Sequence, residues 1–235
     1  MERKYRHEIK YICTEQELKL IESRIGTMLK RDPHVGPSGI YTIRSVYFDD
    51  YDNTCFYESE DGVNSREKFR IRTYNGDTEH ITLECKQKLN GKNHKDSCPL
   101  TKEQCRAILE GTLCWEQVRQ TVAYKDERKV FHKFFSDYST RFLRAKVIVS
   151  YERTPFVCET GNVRITFDRN ISGSSQVGRF LDREIIKCPV MPPGQHILEV
   201  KYDELLPDYL YNAMQIGSLK QTAYSKYVIC RQFCG

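Results

Sequence analysis

The sequence predicts an α+β fold organised on an antiparallel β-sheet, and three features predict it. At least five segments alternate apolar and charged residues with a period of two, which places successive side chains on opposite faces of a strand. Two of these segments flank Asn75-Gly76, the strongest short-range hairpin signal. Capping boxes at Thr14–Glu17 and Thr101–Gln104 open amphipathic helices between the strands. At 235 residues and 39% hydrophobic content the chain is large enough for a real core. No repeat, low-complexity tract or linker divides it, so it reads as a single domain over residues 1–235.

Residues 3–13 form the first strand, with Tyr5, His7, Ile9 and Tyr11 on one face and Arg6, Glu8, Lys10 and Ile12 on the other. The helix after Thr14 carries Leu18, Ile21, Ile25, Met28 and Leu29 at helical spacing and runs until Pro33. A loop leads to the β-branched and aromatic strand 40–49, and residues 50–64 are a short irregular or helical connection.

The hairpin over residues 65–89 is the densest feature. Arg66, Lys68, Arg70, Arg72 and Tyr74 share one face of its first strand, and His80, Thr82, Glu84, Lys86 and Lys88 share one face of its second. Like charges opposite one another or two apart destabilise a sheet, so four bases in one row call for an anion to offset them. Residues 91–97 are a polar loop or weak strand, and residues 101–109 a capped helix. Residues 124–142 form a mixed-charge helix with Val130, Phe131, Phe134 and Phe135 as its apolar stripe. Strands resume at 145–156 and 162–170, the latter setting Arg164, Thr166 and Asp168 against Val163, Ile165 and Phe167. In the last strand Ile197, Glu199 and Lys201 share a face, and residues 203–233 close the chain with helical periodicity.

The net charge of +5 is too small for a general coat on nucleic acid, and the bases cluster in rows on strands. The aromatic residues fall mostly on faces opposite the bases, whereas single-strand binders set stacking rings beside them, so no nucleic-acid partner is expected. Ten scattered cysteines without a C-x-x-C, behind an N-terminus lacking an apolar signal core, indicate buried thiols in a reducing cytoplasm. Cys230 and Cys234, spaced i to i+4, read as a frayed helix carrying two thiols, with a redox or metal pair as the alternative. No segment approaches the roughly 20 apolar residues of a membrane-spanning helix.

Two arrangements satisfy the charged faces. An open sheet would leave them in water. A closed barrel would turn them into its lumen, where so many cations cannot remain unpaired and a polyanion must fill the space. Arg and Lys with sparse carboxylates suit phosphate oxygens, and the carboxylates are candidates for holding a divalent cation.

In this order the segments E-I-K-Y, S-V-Y-F-D, K-F-R-I-R-T-Y, L-E-C-K-Q-K, S-Y-E-R-T-P-F, V-R-I-T-F-D-R, I-L-E-V-K-Y and Y-S-K-Y resemble the VTC family. These are polyphosphate polymerase domains of the CYTH, or triphosphate tunnel metalloenzyme, superfamily. The resemblance spans nearly the whole chain. It implies an antiparallel β-barrel forming a basic tunnel with helices packed outside, and transfer of the γ-phosphate of ATP to a growing polyphosphate chain with release of ADP.

By motif, Lys10, Arg70, Arg72, Lys86 and Arg164 would be catalytic, with Lys95, Arg153, Lys201, Lys220, Ser225 and Lys226 binding phosphates and Glu199 holding Mn²⁺ or Mg²⁺. Arg153 shares its phase with Val147, Val149 and Tyr151, so a bulge near Pro155 would have to re-aim it. The implied partners are ATP and inorganic polyphosphate. Eukaryotic relatives carry additional sensor and membrane segments that this sequence lacks, which leaves room for a separate membrane partner. The alternatives are a triphosphatase of the same superfamily and a polyphosphate-binding module without turnover.

Overall fold

The computed structural model describes residues 5–33, 35–120, 125–217 and 219–234, with the side chains of 125–127 left aside. Arg3 and Lys4 of the expected first strand, His34 of the following loop, Tyr124 and Ser218 lie outside the described residues.

In chain order the elements are β1 (His7–Thr14), α1 (Glu15–Ile25), β2 (Lys30–Arg31), β3 (Tyr41–Asp49), α2 (Thr54–Glu60), β4 (Ser65–Tyr74), β5 (Ile81–Leu89) and β6 (Lys92–Leu100). After them come α3 (Lys102–Glu110), α4 (Trp115–Arg119), α5 (Lys125–Thr140), β7 (Arg144–Cys158), β8 (Val163–Ser174), β9 (Cys188–Pro189), β10 (Gln195–Tyr202), α6 (Asp208–Met214) and α7 (Lys226–Cys234). Both expected capping boxes are present, with the side chains of Thr14 and Thr101 accepting from the backbone N–H three residues on.

The sheet runs β1-β10-β8-β7-β3-β4-β5-β6, antiparallel throughout, with β2 on β7 and β9 on β8. Its two edges meet where Arg6 and Asn93 exchange backbone N–H···O bonds of 2.8 Å each way. That bridge brings β1 to β6 and curls the sheet into a barrel. The weak-strand segment after Leu89 is therefore a full wall strand. Asn90 and Gly91 both have positive φ (48° and 80°), the backbone that a two-residue hairpin turn requires, and Leu89 pairs directly with Lys92.

Two apolar clusters lie on the barrel's outer faces. One packs Val46, Phe48, Ile71, Leu83 and Ile148 under Ile108 of α3, Val118 of α4 and Phe131 and Phe134 of α5. The other packs Ile165, Phe167, Leu198 and Val200 under Leu18, Ile21 and Ile25 of α1 and Leu210 of α6. A third cluster lies inside. Ile43, Val147, Val149 and Ile197 share their strand phases with Tyr41, Tyr151, Arg153 and Glu199, which line the lumen, and they pack against Tyr227, Val228 and Cys230 of α7 and Cys55 of α2. So α7 enters the barrel and fills part of it with hydrocarbon.

The helical periodicity expected over 203–233 resolves into α6 and α7, separated by an extended strap whose Gln221 pairs with Tyr11 of β1. Cys230 is buried in α7 and Cys234 is half-buried at the end of the same helix. Among the described residues no helix is long and apolar enough to cross a membrane.

Candidate functional site

The strand alternation that buries apolar residues outside delivers the charged residues to a cavity of about 520 Å³ inside the barrel. Thirteen Lys and Arg side chains line it against two carboxylates, Glu8 and Glu199. Two further carboxylates, Glu84 and Asp168, sit buried in the wall behind the bases. The excess of cations here is larger than the net charge of +5 carried by the whole chain, so the positive charge of the protein is concentrated in this space.

Each carboxylate organises its own group of bases. Glu84 on β5 accepts from Arg70 Nε at 2.6 Å and Lys95 Nζ at 2.8 Å, with Arg72 at 3.7 Å. Burial alone would raise the Glu84 carboxyl, but Arg70, Arg72 and Lys95 outweigh it and hold the group well below the usual carboxylate range. Asp168 on β8 accepts both Arg153 Nε (2.6 Å) and Nη2 (2.7 Å), a bidentate pair, and lies 2.6 Å from Lys226 at the start of α7. Burial opposes its ionisation, and Arg153 and Lys226 lower it nonetheless.

Glu8 on β1 meets Lys10 at 2.9 Å and Lys86 at 3.0 Å. Glu199 on β10 meets Lys201 at 2.7 Å and Lys226 at 3.7 Å. Lys201 also reaches Glu8 at 3.7 Å, so these two carboxylates face the cavity on either side of one ammonium. They are the oxygen donors that a hard divalent cation could share with phosphates.

Neutral groups fix the bases further. Arg70 donates to Tyr47 Oη at 2.8 Å, Arg72 to Ser45 Oγ at 3.1 Å and Arg164 to Tyr41 Oη at 3.0 Å, while Lys10 donates to the Tyr224 carbonyl at 3.1 Å. Arg164 also pairs with Asp32 at 2.8 Å. Lys95 and Arg164 are the most exposed of these cations, at 47% and 36%, and stand where the cavity meets solvent.

The structure brings Lys10, Arg70, Arg72, Lys86, Lys95, Arg153, Arg164, Glu199, Lys201, Ser225 and Lys226 together around this one cavity. Lys220 is exposed on the strap and does not line it. Arg153 needs no bulge at Pro155. It keeps the phase of Val147, Val149 and Tyr151, because that apolar face is the inner one, covered by α7; the register shifts along β7 lie between Ser150 and Glu152 against β8 and between Ala145 and Val147 against β3.

The expectation that rings lie opposite the bases also fails inside the barrel, where Tyr41, Tyr47, Tyr74, Tyr151, Tyr224 and Tyr227 line the cavity. Several carry cations over their faces, among them Arg153 over Tyr151 at 5.2 Å and Lys68 over Tyr227 at 5.2 Å.

Sequence reasoning set Glu8, Lys68, Glu84 and Asp168 on the charged faces, with the carboxylates as candidates for a divalent cation, but gave none of the four an individual role. Their phase was visible in the alternation, but which acids lie behind which bases depends on strands far apart in sequence.

Among solved structures, a candidate adenylyl cyclase from Hippeastrum, described as revealing a dominant triphosphatase activity, is similar over 97% of this chain and 96% of its own (TM-score 0.55, 12% identity). A candidate adenylate cyclase from Bacillus halodurans is similar over 92% and 88% (TM-score 0.50, 15% identity). At these identities the likeness is one of fold. No curated protein matches the sequence. The profile of the VTC domain matches residues 5–234, the whole of the barrel with its closing helix. The chain belongs to the VTC domain family.

Proposed function

We propose that the protein is a polyphosphate polymerase that transfers the γ-phosphate of ATP onto a growing inorganic polyphosphate chain and releases ADP. The observation that carries this reading is the state of the carboxylates. Glu8, Glu84, Asp168 and Glu199 are each engaged by at least two bases within 4.0 Å, which hold their carboxyls below the usual carboxylate range and make them poor bases for activating water. Hydrolysis asks for a group that positions water; elongation does not, because the terminal phosphate of the chain is already an anionic nucleophile. It needs its repulsion from the incoming phosphoryl group relieved, and cations fixed in advance do that. The row from Arg66 to Arg72 extends this provision along about 20 Å of β4, a length that suits a polymer.

In this reading Arg70 and Arg72, locked by Glu84, Tyr47 and Ser45, hold the transferred group. Lys10, Lys86 and Arg164 neutralise flanking oxygens, and Lys95, Arg153, Lys201, Ser225 and Lys226 bind the remaining phosphates. Glu8 and Glu199 fit a divalent cation of the Mg²⁺ or Mn²⁺ kind, since one or two carboxylates completed by substrate phosphates suffice for such ions. Among the described residues no group of three or more His, Cys, Asp or Glu is placed to hold a metal without substrate. Bound there, the ion would supply Lewis-acid neutralisation of bridging phosphate oxygens.

ATP and polyphosphate are the partners in this reading, and a cytoplasmic location accords with ten free thiols, six of them buried. A separate membrane partner is compatible with this reading, since among the described residues no helix is long and apolar enough to cross a membrane.

A triphosphatase is the second reading, favoured by the shared fold of the Hippeastrum protein and the activity reported for it. Purified protein incubated with ATP and Mn²⁺ or Mg²⁺ separates the two by product: stainable polymer with ADP, lost in Arg70→Ala and Glu199→Ala, against free phosphate alone.

A further inference from the structure

Lys68 stands apart from the other bases of the cavity. It lines the lumen on β4 between Arg66 and Arg70, directly opposite Lys86 of β5. Its ammonium lies 5.2 Å from the ring centre of Tyr227 on the inserted helix α7. Among the described residues no carboxylate lies within ion-pair distance of it, whereas Lys10, Arg70, Lys86, Lys95, Arg153, Lys201 and Lys226 each have one. A largely desolvated cation among cations is costly unless an anion completes the site. Arg66 and Lys88 beside it also lack a carboxylate but reach solvent more freely, so among the described residues Lys68 is the most enclosed base of the cavity without an anion built in.

Resting on the polymerase reading, we propose that Lys68, with Lys86 across the strand pair and Arg66 beside it, forms a separate phosphate seat against α7 that holds the inorganic polyphosphate chain, beyond the seat that Arg70 and Arg72 provide. The rings of Tyr227 and Tyr47, stacked 5.1 Å apart, wall the seat on the helix side. Burial first, and then Lys86, Arg66 and Lys10, push the Lys68 ammonium down to about 7, so the empty seat is held part-charged near neutrality and a phosphate entering it draws the proton on.

The test compares wild type, Lys68→Met and Lys68→Arg in titrations with sodium tripolyphosphate and with a long inorganic polyphosphate. Melting curves are recorded with and without each ligand. The expected result is that Lys68→Met weakens long-chain binding about tenfold to a hundredfold, the loss of one charge-assisted contact. It leaves tripolyphosphate within about threefold, while Lys68→Arg retains long-chain binding. Without ligand Lys68→Met melts a few degrees above wild type, because an unpaired buried charge has gone; a residue with a structural role would melt lower.

Equal losses for both ligands, or none, overturn the seat. A lower melting point of the ligand-free variant does so too. If wild type itself fails to bind long polyphosphate, the polymerase reading falls instead.

Discussion

Replacing Asp168 by Asn tests the charge arrangement at its most buried point. The carboxylate is fully buried and accepts from Arg153 at 2.6 and 2.7 Å and from Lys226 at 2.6 Å. Asn keeps the shape and one acceptor but removes the charge, leaving a guanidinium and an ammonium facing each other across a few ångströms of protein. Breaking a buried pair on one side costs about 3–5 kcal/mol. In a chain of this size each kcal/mol moves the melting point by about 2–4 °C, so a fall of about 6–20 °C is expected.

The same deficit should make the variant more responsive to ligand. Tripolyphosphate restores the missing negative charge, so its stabilisation of Asp168→Asn should exceed its stabilisation of wild type at equal saturation. Differential scanning fluorimetry with and without tripolyphosphate reads both numbers. A variant melting within about 2 °C of wild type, or one that gains no more from ligand than wild type does, would refute the reasoning.

Two further outcomes follow from the same geometry. Glu84 and Asp168 are held below their ordinary carboxylate range of about 4. The stability they contribute is complete above that value and is lost as the pH falls toward their folded-state values, so melting points should drop steadily from about pH 4 downward. Melts between about pH 2 and 7 check this, a flat wild-type profile would contradict it, and Asp168→Asn should flatten the slope. Lys220, exposed on the strap away from the cavity, should tolerate Ala with turnover changed by less than about twofold. A loss comparable to that of Arg70→Ala would place it in the working site after all.

Much of this architecture could be read from the chain because a strand's period of two states both faces at once. Arg66 to Arg72 had to share a side, and the apolar phase between them, with Phe69 and Ile71, had to meet a helix such as the one Thr101 caps. The Asn75-Gly76 hairpin was equally plain, whereas Asn90-Gly91, the same dipeptide with both residues at positive φ, was obscured by the polar sequence of β6.

What could not be read depended on distant partners. Val147 and Val149 looked like an outer face because nothing local says that a helix some 80 residues later enters the barrel to cover them. For the same reason the tyrosines of the lumen looked misplaced until the cations above them were seen. Asp168 alternates like any strand acid, and only the pairing of β8 with β7 sets it beneath Arg153. The order of the strand motifs is what made the bases of the cavity recognisable as a group; the acids that hold them became visible only in three dimensions.

The central claim is that the cavity builds polymer rather than releasing phosphate. The most direct measurement is the molar ratio of free phosphate to ADP formed from ATP by the purified protein with Mn²⁺ or Mg²⁺. Elongation predicts ADP accumulating with little free phosphate, the γ-phosphoryl groups being recovered as long-chain polyphosphate; free phosphate equal to the ADP, or released with no polymer, would contradict it.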